Sequence, residues 1–226
     1  MTKDSKKYYI FEMNMTILNV LSLVLFIGLM ALSFLLAPAT ANLFNIDLVV
    51  LLIFYVGYMI LHELLHSLGY VLNGASFKKV VYGAYLEKGV FYCLCKQDIS
   101  KRNILISIMF PLVFIGIITY VIALVFDLPT LLYLSLFNIA GCIGDIIMFV
   151  YLVKLNKDIK FTEFDNPIQF AIHSSEDVSK IKHFGLDFIK ETDTVPRTDL
   201  KKVSISRGSI IIALIFVAIL IINLIV

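Results

Sequence analysis

Long apolar stretches separated by polar segments dominate the hydrophobic pattern of this chain. Five of these stretches approach the roughly 20 residues that a helix needs to cross the hydrocarbon core of a bilayer. They lie at approximately 16–37, 48–72, 104–126, 131–153 and 209–226. The pattern therefore predicts an all-α integral membrane bundle of about five transmembrane helices.

The polar segment 74–103 has the pattern of a small β-hairpin rather than a helix. Residues 80–85 and 90–95 are rich in β-branched and aromatic side chains, and a Glu-Lys-Gly turn separates them. Ser100 follows as the expected N-cap of the third transmembrane helix. We expect this hairpin at the cytoplasmic mouth of the bundle, just after the second apolar stretch.

The second polar segment, 154–208, is too small for a deep core of its own. A strand is predicted near 168–173. Ser174 and Asp177 resemble a capping box, and the apolar positions after them predict a helix that ends near Lys190. We expect a short cytoplasmic α/β segment that lies on the membrane surface or against the hairpin, with substrate recruitment or regulation as the alternative.

Composition and charge agree with a membrane location and suggest its orientation. Hydrophobic residues make up 60% of the chain and charged residues 16%, whereas soluble domains contain about 25% charged residues. All 19 Lys and Arg fall in the N-terminal tail, in 74–103 or in 154–208. Because basic loops stay in the cytoplasm, we expect a multi-pass protein of the cell (plasma) membrane with a cytoplasmic N-terminus and an extracytoplasmic C-terminus.

The same pattern divides the chain into parts. We expect a transmembrane core at 1–153, a cytoplasmic segment at 154–208 and a C-terminal transmembrane helix at 209–226. Ala39-Thr40-Ala41 resembles a signal-peptidase site, but the preceding apolar run of about 22 residues exceeds the usual 7–15 of a signal peptide. This length favours an uncleaved anchor.

Residues 62–66 read His-Glu-Leu-Leu-His inside the second apolar stretch. On a helix, His62 and His66 lie one turn apart on the same face, where both can bind one zinc ion. Glu63 is then placed to act as a general base on water. A charged group near mid-depth in a bilayer costs about 2.5–3.5 kcal/mol, so this cluster indicates a functional site.

A catalytic zinc usually has three protein ligands, and Asp145 is the predicted third. It is the acidic residue in the interior of the fourth apolar stretch. At the helical rise, His62 lies about 22 Å and Asp145 about 24 Å below the outer membrane surface, in the cytoplasmic half. The alternatives are an Asp145 that bonds a neighbouring helix without metal, or a third ligand from His173 or His183 of the polar segment.

Asn138 is a candidate for substrate binding. It lies two helical turns before Asp145 on nearly the same face, where its amide could hydrogen-bond a substrate backbone or a developing oxyanion. An amide that joins two helices within the membrane is an equally good interpretation.

The motif at 62–66 with the following Ser-Leu-Gly, the β-rich loop and the later Gly144-Asp145 resemble a family of small bacterial membrane proteins called "putative zincin peptidases". That family is similar in outline to the site-2 proteases, intramembrane zinc enzymes with a helix-borne H-E-x-x-H motif and a distant aspartate ligand. The resemblance covers roughly 48–153 and implies cleavage of a membrane-associated peptide or protein. It also implies a role for the hairpin, whose exposed edge would hold an extended substrate as an added strand. Unlike the Asn-Pro and Asp-Gly pairs of site-2 proteases, Asn138 and Asp145 are each followed by isoleucine.

The sequence thus predicts an intramembrane zinc metalloprotease that cleaves near the cytoplasmic face, with Zn²⁺ as cofactor and Glu63 as base. The expected partners are a membrane protein or peptide substrate and the lipid bilayer, and no nucleic acid. A non-catalytic zinc-binding adaptor and a membrane hydrolase of small molecules or lipids are the alternatives. The retained Glu63 disfavours the adaptor, because an inactive relative has no need of the base.

Overall fold

The computed structural model describes residues 7–42, 47–85, 90–163, 166 and 168–194. Of these residues, 57% are helical and 21% lie in strands, so the fold is mixed α/β. The prediction of an all-α bundle with a small hairpin and a short α/β segment is therefore wrong. It failed because a five-stranded antiparallel sheet gathers strands from distant parts of the chain.

Apolar helices form the larger part of the fold. They are α1 (Met15–Leu36), α2 (Leu48–Leu72), α3 (Lys101–Pro111), α4 (Ile118–Val125), α5 (Pro129–Gly141) and α6 (Ile143–Lys154). A π-helical segment, Leu112–Ile117, joins α3 to α4 in one long helix. Three helices, α1, α2 and the α3–α4 helix, are long and apolar enough to cross a membrane. The predicted fourth transmembrane helix is broken between α5 and α6, which are bent by 43° and count as one broken span or a re-entrant loop.

Side-chain caps explain where three of these helices begin. Asn14 accepts a hydrogen bond from the N–H of Ile17 at the start of α1, and Asp47 caps α2 in the same way. Ser100 accepts from the N–H of Asn103, so the predicted N-cap of the third transmembrane helix is confirmed. Each cap satisfies a backbone donor that the helix leaves free.

The strands form two separate sheets. They are β1 (Lys7–Met13), β2 (Val80–Tyr85), β3 (Val90–Cys95), β4 (Ile99–Ser100), β5 (Lys160–Glu163), β6 (Gln169–Ser174) and β7 (Leu186–Thr192). The expected hairpin is present as the antiparallel pair β2–β3. The larger sheet has the order β4-β5-β6-β1-β7 with every neighbouring pair antiparallel.

Strand β1 is an interior strand of the larger sheet, between β6 and β7, and sequence analysis missed it. Tyr9 and Phe11 join a buried cluster with α3 and α6, whereas Tyr8 and Ile10 are buried on the opposite face against Ala171 of β6. Because both faces are covered, the strand is a continuous apolar run without the alternation of a half-exposed strand. Its partners begin more than 150 residues later, so nothing local reveals the pairing.

The helix predicted from Ser174 to near Lys190 is also wrong. Ser174 ends β6 and its hydroxyl accepts a hydrogen bond from the N–H of Glu176, in a turn rather than a helix cap. Gly185 has a φ of +83°, which ends any helical path. Strand β7 follows directly and pairs with β1. The fifth predicted transmembrane helix, 209–226, lies outside the described residues.

Candidate metal centre

The side chains of His62, His66 and Asp145 meet at the boundary between α2 and α6. The two histidine Nε2 atoms are 3.1 Å apart. The Oδ2 atom of Asp145 lies 3.6 Å from the Nε2 of His62 and 3.5 Å from that of His66. The three ligating atoms lie within 4.8 Å of one another, so one ion can contact all of them.

The helix break at Cys142 determines how Asp145 enters this group. Asp145 lies in the first turn of α6, just after the bend, so the straight helix assumed in the depth argument does not exist. His173 and His183 lie elsewhere: His173 stacks on Tyr8 in the sheet, and the Nδ1–H of His183 donates to the carbonyl of Phe184. Among the described residues, the group of side chains that could hold a metal ion therefore includes Asp145 and neither of these two histidines.

Hydrogen bonds orient both imidazole rings so that their Nε2 atoms face the cluster. The Nδ1 of His66 contacts the Ser107 carbonyl at 3.2 Å, and the Nδ1 of His62 contacts Oδ1 of Asn138 at 2.9 Å. Both partners are acceptors, so each Nδ1 carries the proton and each Nε2 keeps its lone pair. Metal-bound histidines are held in this way by acceptors on the second nitrogen.

Close packing between α2 and α3 makes the His66 contact possible. A Cβ at Gly69 would lie 2.7 Å from the Cα of Ser107, closer than real Cβ atoms approach backbone. Glycine at this position therefore lets α3 approach α2 closely enough for the Ser107 carbonyl to reach His66. The glycine of the Ser-Leu-Gly that follows the His-Glu-Leu-Leu-His motif thus has a structural explanation.

Asn138 supports a histidine in this structure. Its Oδ1 accepts from His62, and its Nδ2 donates to the carbonyl of Pro111 at 3.2 Å. This second bond fixes the amide with its oxygen toward the imidazole. Of the two interpretations from sequence, an amide that joins helices describes these contacts better than an oxyanion ligand.

The donor set fits zinc. Two neutral imidazole nitrogens and one carboxylate are a known arrangement for catalytic zinc, with the remaining position open to water or substrate. The two Nε2 lone pairs face each other at 3.1 Å, with a carboxylate oxygen beside both.

Glu63 lies between the two histidines in sequence and faces the same cavity. Its carboxylate interacts with the backbone N–H of Cys93 on β3. The cavity has a volume of about 450 Å³, and its lining includes His62, Glu63, His66 and Asp145. Strand β3 contributes residues 91–94 to its wall, and α1 contributes Leu18, Asn19 and Ser22.

Glu163 is a cavity residue that sequence analysis missed. It ends β5 and is buried, with 9% of its surface exposed. Its Oε2 accepts from the N–H of Cys95 at 2.7 Å, and its Oε1 accepts from the hydroxyl of Tyr70 at 3.2 Å. Burial raises the pKa of this carboxyl from 4.5 to about 7. The residue stands in a polar segment for which we expected no deep core of its own, so its burial had no local signal.

Comparison with known proteins gives one match. Residues 55–160 match the family model described as "Putative zincin peptidase", just under half of the chain. This range contains His62, Glu63, His66, Asn138 and Asp145. The match supports a zinc metallopeptidase, and zinc is the cofactor that it implies. Neither the curated proteins nor the solved structures contain a match to this chain.

Proposed function

We propose that this protein is an intramembrane zinc metalloprotease that hydrolyses a peptide bond of a membrane-associated protein or peptide near the cytoplasmic face. One observation carries the proposal. The cluster of His62, His66 and Asp145 shares a cavity with Glu63, on a helix that is long and apolar enough to cross a membrane.

Different residues of the cavity and its surroundings would bind the metal, orient its ligands and transfer the proton. When bound, zinc acts as a Lewis acid that lowers the pKa of water and polarises a carbonyl group. His62, His66 and Asp145 would hold the ion, while Asn138 and the Ser107 carbonyl keep the imidazole rings in place. Glu63 takes a proton from the attacking water and passes it to the leaving amine.

The orientation in the membrane follows from charge. Basic residues flank the sheet and the hairpin, whereas the described loop around Asp127 contains none. By the positive-inside rule, the sheet and hairpin lie in the cytoplasm. The cavity lies between the apolar helices and the sheet, because its wall includes Tyr55 of α2 as well as Gln169 of β6. A substrate would therefore be cut where a transmembrane segment enters the cytoplasm.

Strand β3 offers an edge on which to hold an extended substrate. The N–H of Cys95 donates to Glu163, and the N–H of Lys96 donates to the carbonyl of Lys79 beside β2. Since backbone groups alternate in an antiparallel pair, the N–H and carbonyl of Phe91 and the carbonyl of Cys93 point away from β2. Both residues line the cavity. A peptide added to this edge would lie next to Glu63 with its scissile amide exposed.

Metal removal and restoration test the proposal. We expect the purified protein to cleave two probes: unfolded β-casein in detergent, and a single-span reporter with a flexible cytoplasmic Ala/Leu/Gly segment in vesicles. Cleavage should stop with 1,10-phenanthroline, continue with the non-chelating 1,7-phenanthroline, and return when zinc is restored. Zinc-loaded protein that cleaves neither probe, or cleavage that survives metal removal, would contradict the proposal.

A further inference from the structure

One buried carboxylate joins three separate elements beside the metal centre. Glu163 ends β5, its Oε2 accepts the backbone N–H of Cys95 in β3, and its Oε1 accepts the hydroxyl of Tyr70 in α2. Glutamate is almost never buried without partners, because taking its charge out of water is unfavourable. A carboxylate kept at this position with both oxygens hydrogen-bonded therefore calls for a specific role.

Each partner of Glu163 lies close along its own element to a residue of the candidate metal centre or its cavity. Tyr70 follows His66 by four residues, so the two side chains lie on one face of α2, one turn apart. Cys95 follows Cys93 by two residues, so their backbone N–H groups point to the same edge of β3. The N–H of Cys93 interacts with the Glu63 carboxylate. The outward N–H of Cys95 is thus hydrogen-bonded to Glu163, and the outward N–H of Cys93 lies near the carboxylate of Glu63.

The hairpin is held by the packing of Cys93 and Cys95 in the main buried cluster and, in addition, by the carboxylate of Glu163. Strands β2 and β3 form a sheet of their own, separate from the five-stranded sheet. A two-stranded hairpin is at best marginally stable by itself. The hydrogen bond from Cys95 to Glu163 ties β3 to β5 of the larger sheet, and the bond from Tyr70 ties the same carboxylate to α2. Glu163 thereby fixes the strand relative to the helix that bears the zinc motif.

We propose that Glu163 is a positioning residue, which holds the outer edge of β3 against α2 so that the N–H of Cys93 meets the Glu63 carboxylate. This inference rests on the proposed protease function. Because Cys93 and Cys95 are separated by about 6.7 Å of extended strand, fixing the second fixes the first. A displacement of about 1 Å in a catalytic group can lower the rate on the order of 100-fold, so a small shift of β3 would be visible in kcat.

Two substitutions at Glu163 separate its hydrogen bonds from its charge. Glu163→Ala removes both bonds and should lower kcat by at least about tenfold while zinc content is retained. Glu163→Gln should preserve most of the activity, since its carbonyl can accept from Cys95 and its amide can donate to the Tyr70 oxygen. If Glu163→Gln is as inactive as Glu163→Ala, the charge rather than the bond is required, and the proposal is overturned.

A matched pair of tyrosines distinguishes positioning from general stability. Tyr70→Phe removes the hydroxyl that binds Glu163, and Tyr133→Phe removes a buried hydroxyl that donates to Ala41 at the other end of the helices. The two variants should lose similar thermal stability, but only Tyr70→Phe should lower kcat. Equal kcat values for Tyr70→Phe and Tyr133→Phe would overturn the proposal. This comparison tests the role of Glu163 even if Glu163→Ala fails to fold.

Glu63→Gln, measured in the same assays on the full chain, distinguishes a failure of the protease mechanism from a failure of the role of Glu163. If Glu63→Gln cleaves at the wild-type rate, the protease mechanism itself fails. If Glu63→Gln is inactive while Glu163→Ala and Tyr70→Phe keep the wild-type kcat, the mechanism stands and only the role of Glu163 fails.

Discussion

The Nδ1 atom of His62 lies 2.9 Å from the Oδ1 atom of Asn138, which comes 76 positions later in the chain. The other end of the same amide donates to the carbonyl of Pro111, next to the π-helical segment. One side chain therefore connects α2, α5 and the α3–α4 helix at the metal centre. These contacts hold His62, one of the candidate metal ligands, and the substrate-binding role predicted for Asn138 stays a prediction.

Asn138→Ala should weaken zinc binding about 10- to 100-fold, the usual effect of losing an acceptor behind a metal-bound histidine. Zinc affinity can be measured by competition with a chelator of known affinity. Ser135→Ala, which removes another buried hydrogen bond of α5, should leave the affinity unchanged. Normal zinc affinity with lost cleavage in Asn138→Ala would instead support the substrate-binding role predicted from sequence.

Asp145→Ala should lower zinc occupancy sharply, because it removes one of three ligands and leaves two imidazoles at the centre. Zinc per protein molecule, measured after purification and dialysis, checks this expectation. His173→Ala and His183→Ala are the matched controls, since neither side chain belongs to the cluster. Full occupancy in Asp145→Ala would mean that another group supplies the third ligand.

Glu163→Gln should change how the stability of the fold depends on pH. Burial raises the pKa of Glu163 in the folded protein to about 7 from an ordinary value of 4.5. The folded state thus holds this proton more tightly, and the resulting stabilisation, complete below about pH 4.5, is lost as the pH rises through about 7. Glutamine stays neutral, so the variant should gain up to about 3 kcal/mol relative to wild type between about pH 4.5 and 8.

Unfolding free energies of the two proteins at several pH values test this prediction. The difference between variant and wild type should grow with pH. A difference that stays constant between about pH 4.5 and 8 would show that the carboxyl keeps an ordinary pKa.

The sequence was most informative where the relevant spacing is local. The spacing of His62 and His66 is fixed by the helical turn, and the hairpin is formed by two β-rich runs that lie close together in the sequence. Asp145 was chosen from its depth along a helix, and the structure places it beside both histidines although that helix is broken. Similar depth along two helices was enough to identify Asp145 as a neighbour of the histidines. The break lies only a few residues before Asp145, so most of the residues counted for its depth lie in the straight helix α5.

Long-range pairing accounts for what the sequence could not predict. Strand β1 pairs with β6 and β7, and Glu163 is buried only because β5 joins that sheet beside α2 and β3. Neither fact has a signal within a window of neighbouring residues. The contacts of Asn138 depend on how closely three helices pack, which hydrophobic periodicity does not specify.

Zinc content and cleavage measured together on wild type and Glu63→Gln test the central claim most directly. The substitution leaves all three ligands in place but removes the group that takes the proton from water. We predict unchanged zinc per molecule and a loss of cleavage of at least about 100-fold, with Glu176→Gln on the exposed surface behaving as wild type. Cleavage by Glu63→Gln at the wild-type rate with zinc bound would contradict the account.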